Sequence, residues 1–312
     1  MHNHFIFWLI FVVTIGVLFY VDLYVTDHRK GKIGIRSSLI WSGVWILSAL
    51  IFNLIIFLFL EDGKTKAIEF LAGYLIEKSL SVDNLFVFLM IFGVMGISDE
   101  NQPHILKWGI ISAIVLRIIF ILIGVTIISL FHPVIYIFGL ILLYAAYKMA
   151  FMPETTIDYK NNWLIKIASK YFNILTDYNG SRFFVKRDKK TFVTQLFLTL
   201  LLIESADIVF AIDSIPAVIA ITHDPFIIIT SNIFAILGLR ALYFALAGII
   251  EIFSYLKYGV AIILAYVGVK MIISDFYKIP TIISLGIILV CIAIPIIISL
   301  ISYKKNPVTK KS

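Results

Sequence analysis

The chain has 312 residues, 61% of them apolar and 14% charged, with a mean hydropathy of +1.02. That balance excludes a soluble globular protein and a disordered chain, and it predicts a polytopic α-helical membrane protein. The 26 Lys and Arg exceed the 19 Asp and Glu to give +7, but they gather in a few loops, which reads as topological charge and not as a nucleic-acid surface.

Taken in chain order, the apolar runs predict an all-α fold of nine transmembrane helices in a single domain over 1–312. The spans are 5–21, 38–60, 67–97, 105–131, 134–152, 192–222, 226–253, 255–274 and 280–303. The first lacks a basic flank and a small-residue cleavage site, so it is expected to be retained. Between the fifth and sixth spans lies a polar connection, 153–191. Its residues Asn162, Lys166, Ser169, Lys170 and Asn173 recur at helical spacing, predicting a short basic helix on the membrane surface. Tyr178-Asn179-Gly180-Ser181 predicts the turn of a small hairpin carrying Phe183, Phe184 and Val185. Cys291 is the chain's one cysteine, which excludes an intrachain disulfide and a thiolate metal cluster.

Two of these spans carry acids. The sixth contains LLIESADIVFAIDSIPA (201–217) with Glu204, Asp207 and Asp213, and the third contains LIEKSLSVDNLFVF (75–88) with Glu77 and Asp83. A charge at the bilayer centre costs roughly 3 kcal/mol or more, so such residues face a polar path or a partner. Aligning Asp213 with Asp83 also aligns Asp207 with Glu77 and Ser214 with Asn84. Further markers recur in the same order: Arg117 with Arg240, and Lys148-Met149 with Lys270-Met271. The repeated unit is three helices, one copy over 67–152 and the other over 192–275. An odd helix count inverts the second copy, an arrangement typical of secondary transporters whose site lies where the copies meet.

Loop charge predicts the orientation. Eighteen Lys and Arg fall on 22–37, 98–107, 153–191, 254–257 and 304–312, against Lys64, Lys66 and Lys278 on the opposite loops. Positive loops stay in the cytoplasm, so the N-terminus is expected outside, and the connection and the C-terminus inside a bacterial plasma membrane.

The blocks EKSLSVDNLFVF (77–88), ESADIVFAIDSIPA (204–217), SNIFAILGLRALYF (231–244) and LKYGVAIILAYVGVKM (256–271) resemble the TerC/Alx family of integral membrane proteins. That resemblance implies an association with tellurium resistance and manganese export, with the paired acidic helices as the metal path. By position it carries over Glu77, Asp83, Asn84, Glu204, Asp207, Asp213 and Ser214. The residue chemistry agrees with a hard divalent cation, since carboxylate, amide and hydroxyl oxygens suit Mn²⁺, Mg²⁺ or Ca²⁺ and no soft thiolate is at hand. Between those metals the resemblance alone points to Mn²⁺, as a transported ion and not a bound cofactor.

Asp83 and Asp213 are the expected charged ligands, one from each copy, with Asn84 and Ser214 adjoining. Glu77, Glu204 and Asp207 are ligands, proton carriers, or partners of Arg117 and Arg240. Pro216 cannot donate to the carbonyl of Ile212, which frees an oxygen beside Asp213. His104, His132 and His223 fall at predicted turns. An intramembrane aspartyl protease is the enzymatic alternative, but Ser81-Val82 and Ala211-Ile212 stand where its Gly-x-Gly would precede each Asp. A non-transporting membrane scaffold linked to redox stress is the other alternative. Expected partners are a divalent ion and lipid, with no nucleic acid and no protein indicated.

Overall fold

A computed structural model describes residues 2–25, 34–131, 133–151, 163–175, 180–187, 190–247, 255–277 and 279–305. Helix α1 (His2–Tyr20) runs into a π-helical turn, Val21–Val25, and is followed by α2 (Ile35–Phe59), α3 (Gly63–Val94), α4 (Gln102–Leu130) and α5 (Val134–Phe151). A short helix α6 (Trp163–Tyr171) and three strands, β1 (Asn173–Leu175), β2 (Phe184–Arg187) and β3 (Lys190–Thr194), fill the connection. Then come α7 (Gln195–Ile219), α8 (Pro225–Ile236), α9 (Leu239–Ala247), α10 (Leu256–Ile272) and α11 (Thr281–Lys305).

Seven helical segments among the described residues are long and apolar enough to cross a membrane, consistent with a polytopic membrane protein. The predicted third and eighth spans are helical too. However, α3 bears Glu77, Lys78 and Asp83 in mid-helix, and α10 has only 17 residues. The outer helices present bare apolar side chains such as Val12, Leu47 and Ile297, a surface suited to acyl chains and not to water. By contrast, 94% of the apolar window in Pro225–Ala247 is buried inside the protein.

Helices α3 and α7 cross the centre in opposite directions. Glu69 at one end of α3 accepts a 2.6 Å hydrogen bond from Thr222 just beyond α7, Gly73 packs against Val218, and the Met95 carbonyl past the other end of α3 accepts from Gln195. Helix α4 runs beside α7 in the same direction, Gly109 against Ile203 and Gly124 against Ile215 and Ile219. Helix α8 lies on α3, and α5 packs antiparallel on α10. There Gly139 and Gly268 let the backbones approach so closely that a Cβ on Gly268 would meet the Gly139 carbonyl oxygen at 2.9 Å. One apolar core joins α1, α2, α3, α4, α7 and α8, and a second joins α3, α5, α7, α10 and α11.

Four sequence expectations are corrected. The fold is not wholly α: β1 pairs parallel and β2 antiparallel with β3, and the strand over 190–194 replaces the first turn expected of the sixth span. The antiparallel hairpin pairs β2 with β3, Arg187 opposite Lys190, and not β1 with β2 across 178–181; Tyr178 and Asn179 of that segment lie outside the described residues. The expected seventh span is broken into α8 and α9 at Gly238, whose φ of +77° suits glycine, and a Cβ there would meet Trp45 Cδ1 at 2.3 Å. Finally, Asp22 belongs to no solvated loop but is 1% exposed at the end of the first helix. Of the histidines, His104 sits in the first turn of α4, stacked on Phe183 with ring centroids 4.7 Å apart, while His132 lies outside the described residues.

Candidate cation path between the acidic helices

The acidic motifs fold as helices because their apolar residues are continuous and their polar ones find partners inside the bundle. Glu77 on α3 is fully buried, and Asp207 on α7 is 5% exposed. Between them lies the guanidinium of Arg117 from α4, itself 1% exposed. Its Nη1 pairs with Glu77 Oε1, and its Nη2 meets Asp207 Oδ1 at 3.1 Å. Asn232 of α8 closes the ring: its Nδ2 donates to Glu77 Oε2 at 3.0 Å, and its Oδ1 accepts from Arg117 at 3.5 Å. Two carboxylates of the ring share one guanidinium. The bonding of the ring is incomplete, because Asp207 Oδ2 and Arg117 Nε have no hydrogen-bond partner among the described residues.

The two neutral positions also fall in the bundle interior. Asn84 is 4% exposed and Ser214 is 1% exposed, and the Ser214 hydroxyl has no hydrogen-bond partner among the described residues. Glu204 accepts from Ser112 of α4 at 2.5 Å, and its Oε2 has no hydrogen-bond partner among the described residues. The side chains of Asp83 and Asp213 lie outside the described residues; their backbones belong to α3 and α7. Helix α7 continues through Pro216 to Ile219, so the carbonyl of Ile212 loses its backbone donor without a break in the helix.

The antiparallel register of α3 and α7 places these positions along the seam. From Glu69 opposite Thr222 and Gly73 opposite Val218, the same step sets Glu77 level with Asp213-Ser214 and Asp83 level with Asp207. The Asp83 and Asp213 backbones therefore occupy two levels about 9 Å apart, six residues at about 1.5 Å each. They do not face one another across a single plane. Arg117, by the parallel register of α4 on α7, stands between the two levels.

The second arginine has other company. Arg240 on α9 is 2% exposed, and its Nε and Nη2 each lie 3.1 Å from Asp22 Oδ2, with Nη2 also donating to the Asp22 carbonyl. Nearby, Lys78 donates to the carbonyls of Ala235 and Leu237 at 3.1 and 3.3 Å, where the break before Gly238 leaves the end of α8 open.

Towards the α3 N-terminus, Lys66 pairs with Asp224 at 3.0 Å, and a cavity of about 230 Å³ opens among Ala220, His223, Lys270 and Asp275. Sequence reading had not singled out Ser112, Asn232 or Asp22. For Ser112 and Asn232 the available signal was a polar residue inside an otherwise apolar helix. Asp22 gave none, because it lies where the chain leaves its first apolar run. No group of three His, Cys, Asp or Glu side chains poised to hold a metal occurs among the described residues, a set that excludes the side chains of Asp83 and Asp213.

No solved structure matches. The protein named "Putative membrane-bound redox modulator Alx" of Escherichia coli strain K12 is 42% identical over 285 residues, covering 89% of both chains. Its namesake in Photorhabdus laumondii is 40% identical over 299 residues, 94% of this chain and 93% of that one. The "Uncharacterized membrane protein STKORF319" of Myxococcus xanthus is 40% identical over 300 residues, 96% and 93%. The family described as "Integral membrane protein TerC family" matches residues 62–307, which take in both acidic helices and both buried arginines. This chain is thus a member of the TerC family of integral membrane proteins.

Proposed function

We propose that the protein is a multi-pass transporter, not an enzyme, that moves a hard divalent cation, Mn²⁺ foremost, outward across a bacterial plasma membrane. The observation that carries this reading is the buried seam between α3 and α7. There two acidic motifs meet, and Asp207 Oδ2, Glu204 Oε2 and Ser214 Oγ have no hydrogen-bond partner among the described residues. Buried polar atoms are almost always satisfied, and exceptions call for an ion, a water or a function.

The reading includes nine spans, formed by α1 to α5, α7, the α8–α9 pair, α10 and α11, with the N-terminus outside and the C-terminus in the cytoplasm. It also includes an inverted repeat of α3–α5 and α7–α10. Antiparallel packing of α3 on α7 and of α5 on α10 supports that repeat, as does the exchange in which α3 lies on α8 and α4 on α7. In this frame the ion enters near Glu204 and the level of Asp83 and Asp207. It passes Arg117 and the level of Glu77, Asp213 and Ser214, then leaves towards the cavity beside Lys270 and Asp275. Asn84 lines the inner level. Proton exchange would provide the counter-flow, and in vesicles it appears as a pH change that follows metal flux. No resident cofactor is required.

Cells carrying Asp83→Asn or Asp213→Asn, with the protein at normal levels, should accumulate manganese like cells lacking it. Each substitution removes a charged ligand and with it about 100-fold or more of site affinity. Full export by the double variant ends the reading. Orientation has its own check: cysteines introduced at Asn161 and Lys310 should react with impermeant reagents only from the cytoplasm, and one at Gly63 only from outside.

The printed name of the relatives favours a second reading, a redox-linked membrane scaffold. A dithiol switch needs two cysteines, and this sequence has one. A rise in thermal stability on adding Mn²⁺ belongs to the transporter and not to the scaffold.

A further inference from the structure

A guanidinium in an apolar bundle needs a reason. Burying Arg117 against Glu77 and Asp207 removes three charges from water, and well-packed apolar residues of similar volume would serve stability as well or better. The ring is also poorly finished for a structural clasp. Among the described residues Asp207 Oδ2 and Arg117 Nε have no hydrogen-bond partner, and two carboxylates share the one guanidinium. Its position adds a second fact. Arg117 stands between the level of Asp83 and Asp207 and that of Glu77 and Asp213, so an ion moving along the seam has to pass it.

We propose that Arg117 is a built-in resting cation: it occupies the gap between Glu77 and Asp207 when the path is empty, and a passing divalent ion displaces it. This inference rests on the transport reading and deepens it. A guanidinium and a metal ion cannot hold the same carboxylates at once, since two cations side by side in a low-dielectric seam repel strongly. Competition of that kind filters by charge. A monovalent ion offers the two carboxylates no more charge than Arg117 already does and must lose its own hydration. A divalent ion offers twice the charge and can take them. Asn232 is the positioning residue: its amide bridges Glu77 and Arg117 and can hold either after the other has left.

The test uses the full chain in lipid nanodiscs. Mn²⁺ binding is followed by the loss of the free-ion electron paramagnetic resonance signal, with and without excess Na⁺. The wild type should bind Mn²⁺ and be indifferent to Na⁺. Arg117→Gln should bind Mn²⁺ about tenfold more tightly, within the usual range of coupled sites, and should become sensitive to Na⁺. Its export in cells should fall, because nothing returns to expel the ion. Arg117→Lys keeps the charge but cannot bridge two carboxylates bidentately, so it should fall between the two. It also provides the reading if Arg117→Gln does not assemble.

Unchanged affinity and Na⁺ indifference in these variants would overturn the inference and leave Arg117 as a structural ion pair. Loss of binding in a folded variant would overturn it in the other direction, making Arg117 part of the site's architecture. A wild type that binds no Mn²⁺ would instead overturn the transport reading, and this inference with it.

Discussion

Arg117 and Arg240 occupy matching places in the two similar stretches of the chain, IVLRIIF and LGLRALYF, yet they do different things. Both are almost wholly buried. Arg117 is shared by the acids of α3 and α7 and tethered by Asn232, in a ring with oxygens to spare. Arg240 pairs with Asp22, which it holds through the carboxylate and the backbone together. One arginine lies on the seam between α3 and α7, and the other fastens the first helix to the broken one. A buried cation is therefore not informative in itself. The state of its partners distinguishes a path from a fastening.

Substitutions that swap each charged group for apolar residues give the sharpest contrast. Asp22→Leu with Arg240→Met removes both charges of the fastening together, and apolar replacement of a buried pair is often neutral; export should persist in a protein of near-normal stability. Glu77→Leu, Arg117→Met and Asp207→Leu together remove the whole triad without leaving a ring carboxylate behind, so this variant should also assemble, but manganese export measured in cells should drop to the level of cells lacking the protein. If both variants export alike, the two arginines are equivalent and the comparison fails.

Next in size is Arg240→Met alone. It removes the guanidinium that pairs with the buried Asp22 carboxylate, at a cost of about 3–5 kcal/mol, which should show as a large loss of assembled protein on gel filtration. Restoration by the second change, Asp22→Leu, would confirm the pairing. Gly238→Ala should be milder, about 1–3 kcal/mol for forcing a positive φ on a residue with a Cβ, with more needed if Trp45 cannot yield. Thermal unfolding in detergent reads it, and the companion Trp45→Ala should recover part of the loss. The smallest effect is expected from Ser112→Ala. It removes one hydrogen bond to Glu204, about 1–3 kcal/mol of local satisfaction at a buried carboxylate, and should slow export only several-fold.

Much of the architecture was legible because lipid simplifies the code. Backbone groups must pair within each span, so long apolar runs read directly as helices, and each predicted span has a helix over most of its described residues. The acidic positions were legible for the same reason, since a carboxylate in such a run is too costly to be incidental. What stayed hidden depends on tertiary partners. That Glu77 and Asp207 share Arg117 follows from how α4 lies beside α7, and sequence spacing carries no such information. The two levels of Asp83 and Asp213 were hidden as well: alignment of the motifs makes the aspartates equivalents, but antiparallel packing separates equivalents along the axis. The break at Gly238 could have been suspected from a glycine in mid-span, although glycine is common in membrane helices. The strand over 190–194 escaped notice because Thr191, Phe192 and Val193 run without a break into the apolar residues of α7.

The near-complete enclosure of Pro225–Ala247 has a consequence for biogenesis. A helix with almost no lipid-facing surface, carrying an arginine, is a poor candidate for release into the bilayer on its own. It leaves the ribosome after α1 to α7, and those helices supply nearly everything it touches: Phe52 stacks on Phe234, Phe70 meets the same ring edge to face, and Trp45 packs on Gly238. Asp22, the counter-charge for Arg240, was made 218 residues earlier. The first seven helices thus act as a waiting scaffold into which this segment is threaded. Ribosome-bound chains truncated after residue 255 and lacking α1 should fail to retain it, making the first helix an assembly factor carried within the same polypeptide.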